Sequence, residues 1–243
     1  MGNNMKDGYA DSNRLSDKAL LIYNDFLHSG KFLTHYKWLK NAAEDYGIKL
    51  ELMGNSECLC SYGTSFDKEL IETLEKYRFI LFWDKDIRLG KKFTNICKKI
   101  NIPIYNNIRA IADCDDKSAT YEKIGQWNDC HDTLEQIKMI PTIVAPMTYE
   151  NIGYTDMNFL DKVAEKFGFP LVIKECFGSF GMQVYMAHDM DELKKRVSDI
   201  GGKPMIFQKF IEKSSGFDVR LQVVGDEVVA AMYRYTDDGD FRA

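Results

Sequence analysis

One lysine, two glycines and a serine, set between two short apolar runs, are the residues of this sequence best suited to chemistry. The stretch reads Phe169-Pro-Leu-Val-Ile-Lys174-Glu-Cys-Phe-Gly178-Ser179-Phe180-Gly181-Met-Gln-Val-Tyr-Met-Ala187. Residues 171–173 and 184–187 have strand character, so the order is strand, glycine loop, strand. Such a loop can hold a polyphosphate. Glycines let backbone N–H groups come close to an anion, and the loop amides carry partial positive charge. Lys174 adds a full charge at the same end. Neither G-x-x-x-x-G-K-[ST] nor a G-x-G-x-x-G opening a helix occurs, so a nucleotide held here lies between two strands. A plain hairpin whose glycines only make the turn is the alternative.

The 243 residues, 45% hydrophobic and 13% aromatic, suffice for a sizeable core in one large or two modest domains. The net charge is −5, signs are interspersed and no basic block occurs, which argues against a nucleic-acid partner. Cys58, Cys60, Cys97, Cys114, Cys130 and Cys176 form no C-x-x-C pair. Cys58-x-Cys60 is too tight for an ordinary zinc pair, and His28, His35, His131 and His188 do not cluster with it. Reduced thiols in a cytoplasmic protein are the preferred reading, with zinc a distant second. The first fourteen residues are polar, so no signal peptide is expected, and residues 1–17 read as a flexible tail. No apolar run is long enough to span a bilayer, so no membrane partner is expected.

Residues 19–23 read as a buried strand. Leu33, Tyr36, Leu39, Ala43 and Tyr46 follow at helical spacing, with Gly47 as a C-cap. Strand (48–53), helix (70–77), strand (79–83), helix (89–100) and strand (102–105) complete an alternation that implies a small doubly wound parallel sheet over residues 18–114. Its loop at 24–31 can line a cleft at the strand ends. Asp115-Asp116-Lys117 then opens a helix. A strand at 141–145, a helix at 157–167, the glycine-loop hairpin, a helix at 191–200, a strand at 205–211 and a hairpin (218–224, 227–234) make the second half α+β.

Lys117, Lys174 with Gly178-Ser-Phe-Gly181, Gln208-Lys-Phe-Ile211, Asp218-Val-Arg220, Gly225-Asp-Glu-Val-Val-Ala-Ala231 and Gly239-Asp-Phe-Arg242 stand in an order that resembles the ATP-grasp superfamily, closest to its RimK-like α-L-glutamate ligases. The resemblance implies a pre-ATP-grasp α/β domain (18–114), a central lobe (115–206) and a partial C-terminal lobe (207–243). It implies that Lys117 and Lys174 hold the ATP phosphates and that Gly178, Ser179, Phe180 and Gly181 form the loop over them. Gln208, Lys209, Phe210 and Ile211 would border adenine, and Asp218 would accept from ribose. Each has a plainer alternative: a solvated lysine for Lys117, core packing for Phe210 and Ile211, and a strand-edge carboxylate paired to an arginine for Asp218.

Alternation puts Asp218 and Arg220 on one face. Guanidiniums suit a carboxylate substrate and an acyl phosphate, because each binds planar oxyanions bidentately. Arg220 and Arg242 are favoured for that role, and Arg234 less. The implied reaction joins a carboxylate to an amine through an acyl phosphate at the expense of ATP, with glutamate as a natural amine. In the family, Mg2+ ligands lie on a later strand, so its ligands are expected beyond residue 243. The chain is then expected to be a fragment of a longer ligase, with a naturally short inactive protein as the other possibility. A non-catalytic nucleotide-binding module is the alternative function. A homo-oligomer is possible for this branch.

Overall fold

The computed structural model describes residues 17–27, 29–63, 66–237 and 239–242. Most of the tail expected over 1–17 lies outside the described residues, as does His28 of the 24–31 loop. The chain divides into two compact units, one ending at Ala112 and the next beginning at Asp113.

The first unit alternates β1 (Lys18–Tyr23), α1 (Gly30–Asp45), β2 (Lys49–Gly54), α2 (Phe66–Leu74), β3 (Ile80–Trp83), α3 (Ile87–Lys99) and β4 (Ile104–Tyr105), and α4 (Ile108–Asp115) follows. Its strands are parallel, in the order β2-β1-β3-β4. The unbroken apolar run of β1 suits a strand covered on both faces. Leu20 and Ile22 pack with Leu74, Leu89 and Phe93 on one side. Ala19 and Leu21 pack with Tyr36 of α1 and Leu50 on the other. This is the doubly wound arrangement implied by the alternation. The helix α4 was not among the expected elements. Its signal is Asn107, whose Oδ1 accepts from the Arg109 backbone N–H at 2.9 Å, an ordinary capping contact. The Asp115-Asp116-Lys117 triplet opens α5 as expected, with Asp116 as its N-cap, and follows directly on α4.

The second unit contains α5 (Lys117–Asp129), β5 (Thr142–Val144), α6 (Phe159–Phe167), β6 (Leu171–Glu175), β7 (Val184–Ala187), α7 (Met190–Ile200), β8 (Met205–Lys209), β9 (Phe217–Val224) and β10 (Glu227–Tyr235). Four strands form an antiparallel sheet in the order β5-β8-β6-β7, and β9 and β10 pair separately. Leu171, Ile173, Met205 and Phe207 face a core closed by Leu160 and Val163 of α6 and Leu193 and Val197 of α7. In register, Gln208 lies opposite both Thr142 and Val172, and Lys174 opposite Ile206. Because side chains alternate along a strand, Thr142, Val172, Lys174 and Gln208 share the other face.

Several expected boundaries shift: α2 runs Phe66–Leu74 and not 70–77, β4 is only Ile104–Tyr105, and two further shifts fall in the second unit. β8 ends at Lys209, so Phe210 and Ile211 leave the sheet. α6 starts at Phe159 because Asp156 Oδ1 accepts from Asn158 N at 2.8 Å and forms a turn before it.

Phe207 is fully buried and Leu134 fully exposed. Phe207→Ala is expected to cost about 3–5 kcal/mol. Leu134→Ala is expected to stay within about 0.5 kcal/mol of the parent. Urea unfolding of the second unit, followed by circular dichroism, checks both.

Candidate nucleotide-binding cleft

The polar face of the four-stranded sheet forms the floor of a cavity of about 570 Å³ within the second unit. Lys174 and Gln208 rise from that floor. Phe180 and Gly181 border it from the glycine loop, and Lys209, Phe210 and Ile211 from the chain leaving β8. Asp218, Arg220 and Arg234 come from the hairpin, and Arg242 from the segment after it. Of the expected residues, Lys117, Gly178 and Ser179 are not among its lining.

Lys174 is largely withdrawn from water. Burial, followed by the neighbouring Lys117 charge, pulls its ammonium pKa below the usual 10.5. Among the described residues it has no hydrogen-bond or ion-pair partner. A desolvated cation with no protein acceptor is costly unless a ligand supplies the opposite charge.

Lys117 is placed differently. Asp116 caps α5 by accepting from Ser118 N at 2.8 Å, which fixes where the first turn begins. The Lys117 backbone N–H donates to the Cys176 carbonyl at 3.0 Å. Its Nζ donates to the carbonyls of Cys176 at 3.2 Å and Gly178 at 3.4 Å. The cation thus sits against the root of the glycine loop, beside Lys174.

The loop itself needs its glycines. Gly178 has φ 143° and Gly181 φ 73°, both in the region L side chains avoid. A Cβ at Gly178 would also overlap the Gln183 amide. Phe180 holds a left-handed φ of 61° and is 76% exposed at the tip. Arg242 Nη1 donates to the Gly181 carbonyl at 3.0 Å while its guanidinium also grips Asp240, with Nη2 at 2.6 Å.

Asp218 and Arg234 are opposite each other in the hairpin register. Arg234 Nε donates to Asp218 Oδ1 at 2.7 Å, and Nη2 to Oδ2. That pairing holds the Asp218 carboxyl below its usual range. The carboxylate expected to meet ribose is therefore gripped by the arginine given least weight of the three. Arg220 lies on the same strand face as Asp218 and makes no hydrogen bond among the described residues.

Asp218 is the one carboxylate among the lining residues. Among the described residues no group of three or more His, Cys, Asp or Glu is placed to hold a metal ion. The donor set present here does not fit a Mg2+ cage.

Sequence reasoning missed Tyr121 and Thr142. Gln208 is 2% exposed, and its Nε2 donates to Tyr121 Oη at 2.6 Å and to Thr142 Oγ1 at 2.8 Å. The only signal was the helical placement of Tyr121 one turn after the α5 cap. The pairing of β5 with β8, distant in sequence, is not legible.

Residues 129–243 match the family model described as the RimK-like ATP-grasp domain. An uncharacterised protein of Mycoplasma pneumoniae is 28% identical over 229 residues, covering 91% of this chain and 72% of that protein. N-acetylaspartylglutamate synthase A of Mus musculus is 28% identical over 147 residues, covering 58% of this chain. The chain matches 34% of the length of that synthase. The crystal structure of a RimK domain ATP-grasp protein from Sphaerobacter thermophilus superposes with a TM-score of 0.59 at 14% identity, covering 93% of this chain and 76% of that one.

A polyphosphate at Lys174 would favour the charged amine and raise its lowered pKa. Nucleotide affinity is therefore expected to fall as pH rises toward 10.5, earlier than for an ordinary lysine, with proton uptake on binding. Lys174→Arg, which stays charged, is expected to remove that fall. Calorimetry across this pH range, in two buffers of different ionisation enthalpy, checks it.

Proposed function

We propose that this protein, which has the ATP-grasp fold and carries a RimK-like ATP-grasp domain over residues 129–243, is part of an ATP-dependent carboxylate–amine ligase. The observation that carries the proposal is the desolvated, unpaired Lys174 ammonium at the base of the cleft, beside Lys117 and under a glycine loop. Two lysines and loop amides suit the phosphates of ATP as point charges and dipoles. Arg220 and Arg242 suit a carboxylate substrate and the acyl phosphate made from it.

In the proposed reaction a carboxylate oxygen attacks the γ-phosphorus and ADP leaves with the bridging oxygen. An amine nitrogen then attacks the acyl carbon, phosphate leaves, the amine loses a proton and an amide forms. Lys174 and Lys117 neutralise the transferred charge, with Lys117 exchanging loop carbonyls for phosphate oxygens. The glycine loop, with Phe180 at its tip, excludes water. The protein positions and neutralises, without covalent catalysis. Glutamate as the amine, added to a peptide, protein or cofactor carboxylate, is the preferred substrate class. The matched N-acetylaspartylglutamate synthase supports it. A cytoplasmic location forms part of the reading, supported by six free cysteines. Among the described residues no helix is long and apolar enough to cross a membrane.

A nucleotide-binding module without turnover is the second reading. The single lining carboxylate, already held by Arg234, favours it.

Lys174→Ala and Lys117→Ala are each expected to weaken ATP binding about tenfold or more, as for loss of a hydrogen bond to a charged group. Unchanged affinity in both overturns the nucleotide assignment. With ATP, a carboxylate and an amine supplied, Arg220→Ala is expected to lower ADP release at least about tenfold while ATP affinity stays within about threefold. ATP binding with no ADP release from the parent chain supports the module reading instead.

A further inference from the structure

We infer that Asp240 is a positioning residue: it aims the Arg242 guanidinium at the glycine loop, so that residues 240–242 strap that loop across the cleft and set how fast a nucleotide enters. The inference rests on the nucleotide reading of the cleft above.

The strap is anchored on three walls. At the base of the hairpin, the Gly216 N–H donates to the Phe241 carbonyl at 3.0 Å. The Phe241 ring meets Phe210 edge-on, with ring centroids 6.3 Å apart and planes at 80°. Arg242 Nη1 then donates to the Gly181 carbonyl at 3.0 Å. Phe210, Phe241, Gly181 and Arg242 all line the cleft. Consecutive residues therefore join the hairpin, the chain leaving β8 and the glycine loop over one cavity.

A free arginine side chain samples many rotamers, and ordering it costs conformational entropy. Asp240 removes that freedom. Its Oδ1 accepts from the Arg242 backbone N–H at 3.0 Å and from Nε at 3.0 Å. Its Oδ2 accepts from Nε at 3.0 Å and from Nη2 at 2.6 Å. One carboxylate thus fixes the backbone turn and one side of the guanidinium. Nη1 is the nitrogen that Asp240 does not engage, and it is the one that meets the loop. The pair is partly exposed, where an ion pair adds little stability, so what it supplies is direction. Arg242 holds the Asp240 carboxyl down at about 2, so the grip is complete at neutral pH. The Gly181 carbonyl also accepts from the Val184 N–H, at a longer 3.3 Å. A nucleotide passes beneath the loop when the Arg242 contact parts.

Asparagine at 240 offers one oxygen to the Arg242 backbone N–H but sets an NH2 against the guanidinium donors, so it keeps the turn and loses the aim. In nucleotide-free Asp240→Asn, hydrogen exchange of the Met182 and Val184 amides is expected to be at least about threefold faster than in the parent. Stopped-flow association of an ATP analogue with a fluorescent ribose substituent, on the full chain, is expected to speed by at least about threefold. Arg242→Ala is expected to do the same, and the double variant to exceed neither single one, because Asp240 acts through Arg242. An Asp240 that only held the local backbone would leave association unchanged in Asp240→Asn. Unchanged exchange and association in Asp240→Asn, or effects that add in the double variant, overturn the inference and leave the nucleotide reading standing. No association of the analogue with the parent overturns both.

Discussion

The period-2 alternation of β6 and β8 is the constraint on which the cleft depends. Leu171, Ile173, Met205 and Phe207 bury against α6 and α7. Burial of each such side chain contributes roughly 1.5–3 kcal/mol, so this face of the sheet is strongly specified. A slip of one residue would turn the apolar set outward. The same register therefore delivers Val172, Lys174 and Gln208 to the opposite face. The core does not merely support the site. It decides which side chains can belong to it, and it holds Lys174 where water cannot fully solvate the ammonium.

Around that floor, local backbone chemistry brings the remaining cations inward. The Asp116 cap sets the start of α5, and Lys117 follows it directly against the carbonyls of Cys176 and Gly178. Arg242 reaches the other limb of the loop at Gly181. Before any anion arrives, loop carbonyls engage two of the cations expected to hold phosphate or carboxylate. Lys174, the buried one, has no protein acceptor among the described residues, and neither has Arg220. A polyphosphate would compete with neutral carbonyl oxygens for Lys117 and Arg242, and charge-assisted contacts are the stronger of the two.

Much of this was legible before the fold. Apolar runs such as Ala19-Leu-Leu-Ile22 and the helical spacing of residues 33–46 mark the parallel unit, because each pattern reflects a local geometry. The glycines at 178 and 181 announced a loop, and their positive φ values show why glycine is favoured at both. Features set by distant pairing were not legible. Thr142 meets Gln208 only because β5 joins β8 across 66 positions. Asp218 and Arg220 are rightly placed on one face, yet alternation alone does not say that Arg234 stands opposite Asp218 and takes its carboxylate. The short helix α4 escaped because eight residues give too little periodicity to stand out.

The most direct measurement is a crystal structure of the chain with a non-hydrolysable ATP analogue. The account predicts phosphate oxygens within hydrogen-bond distance, about 2.7–3.2 Å, of Lys174 Nζ, beneath the loop of residues 178–181. Lys117 would be turned from the Gly178 carbonyl toward the same phosphates. An analogue bound with its phosphates away from Lys174, or bound outside the cleft, would contradict it.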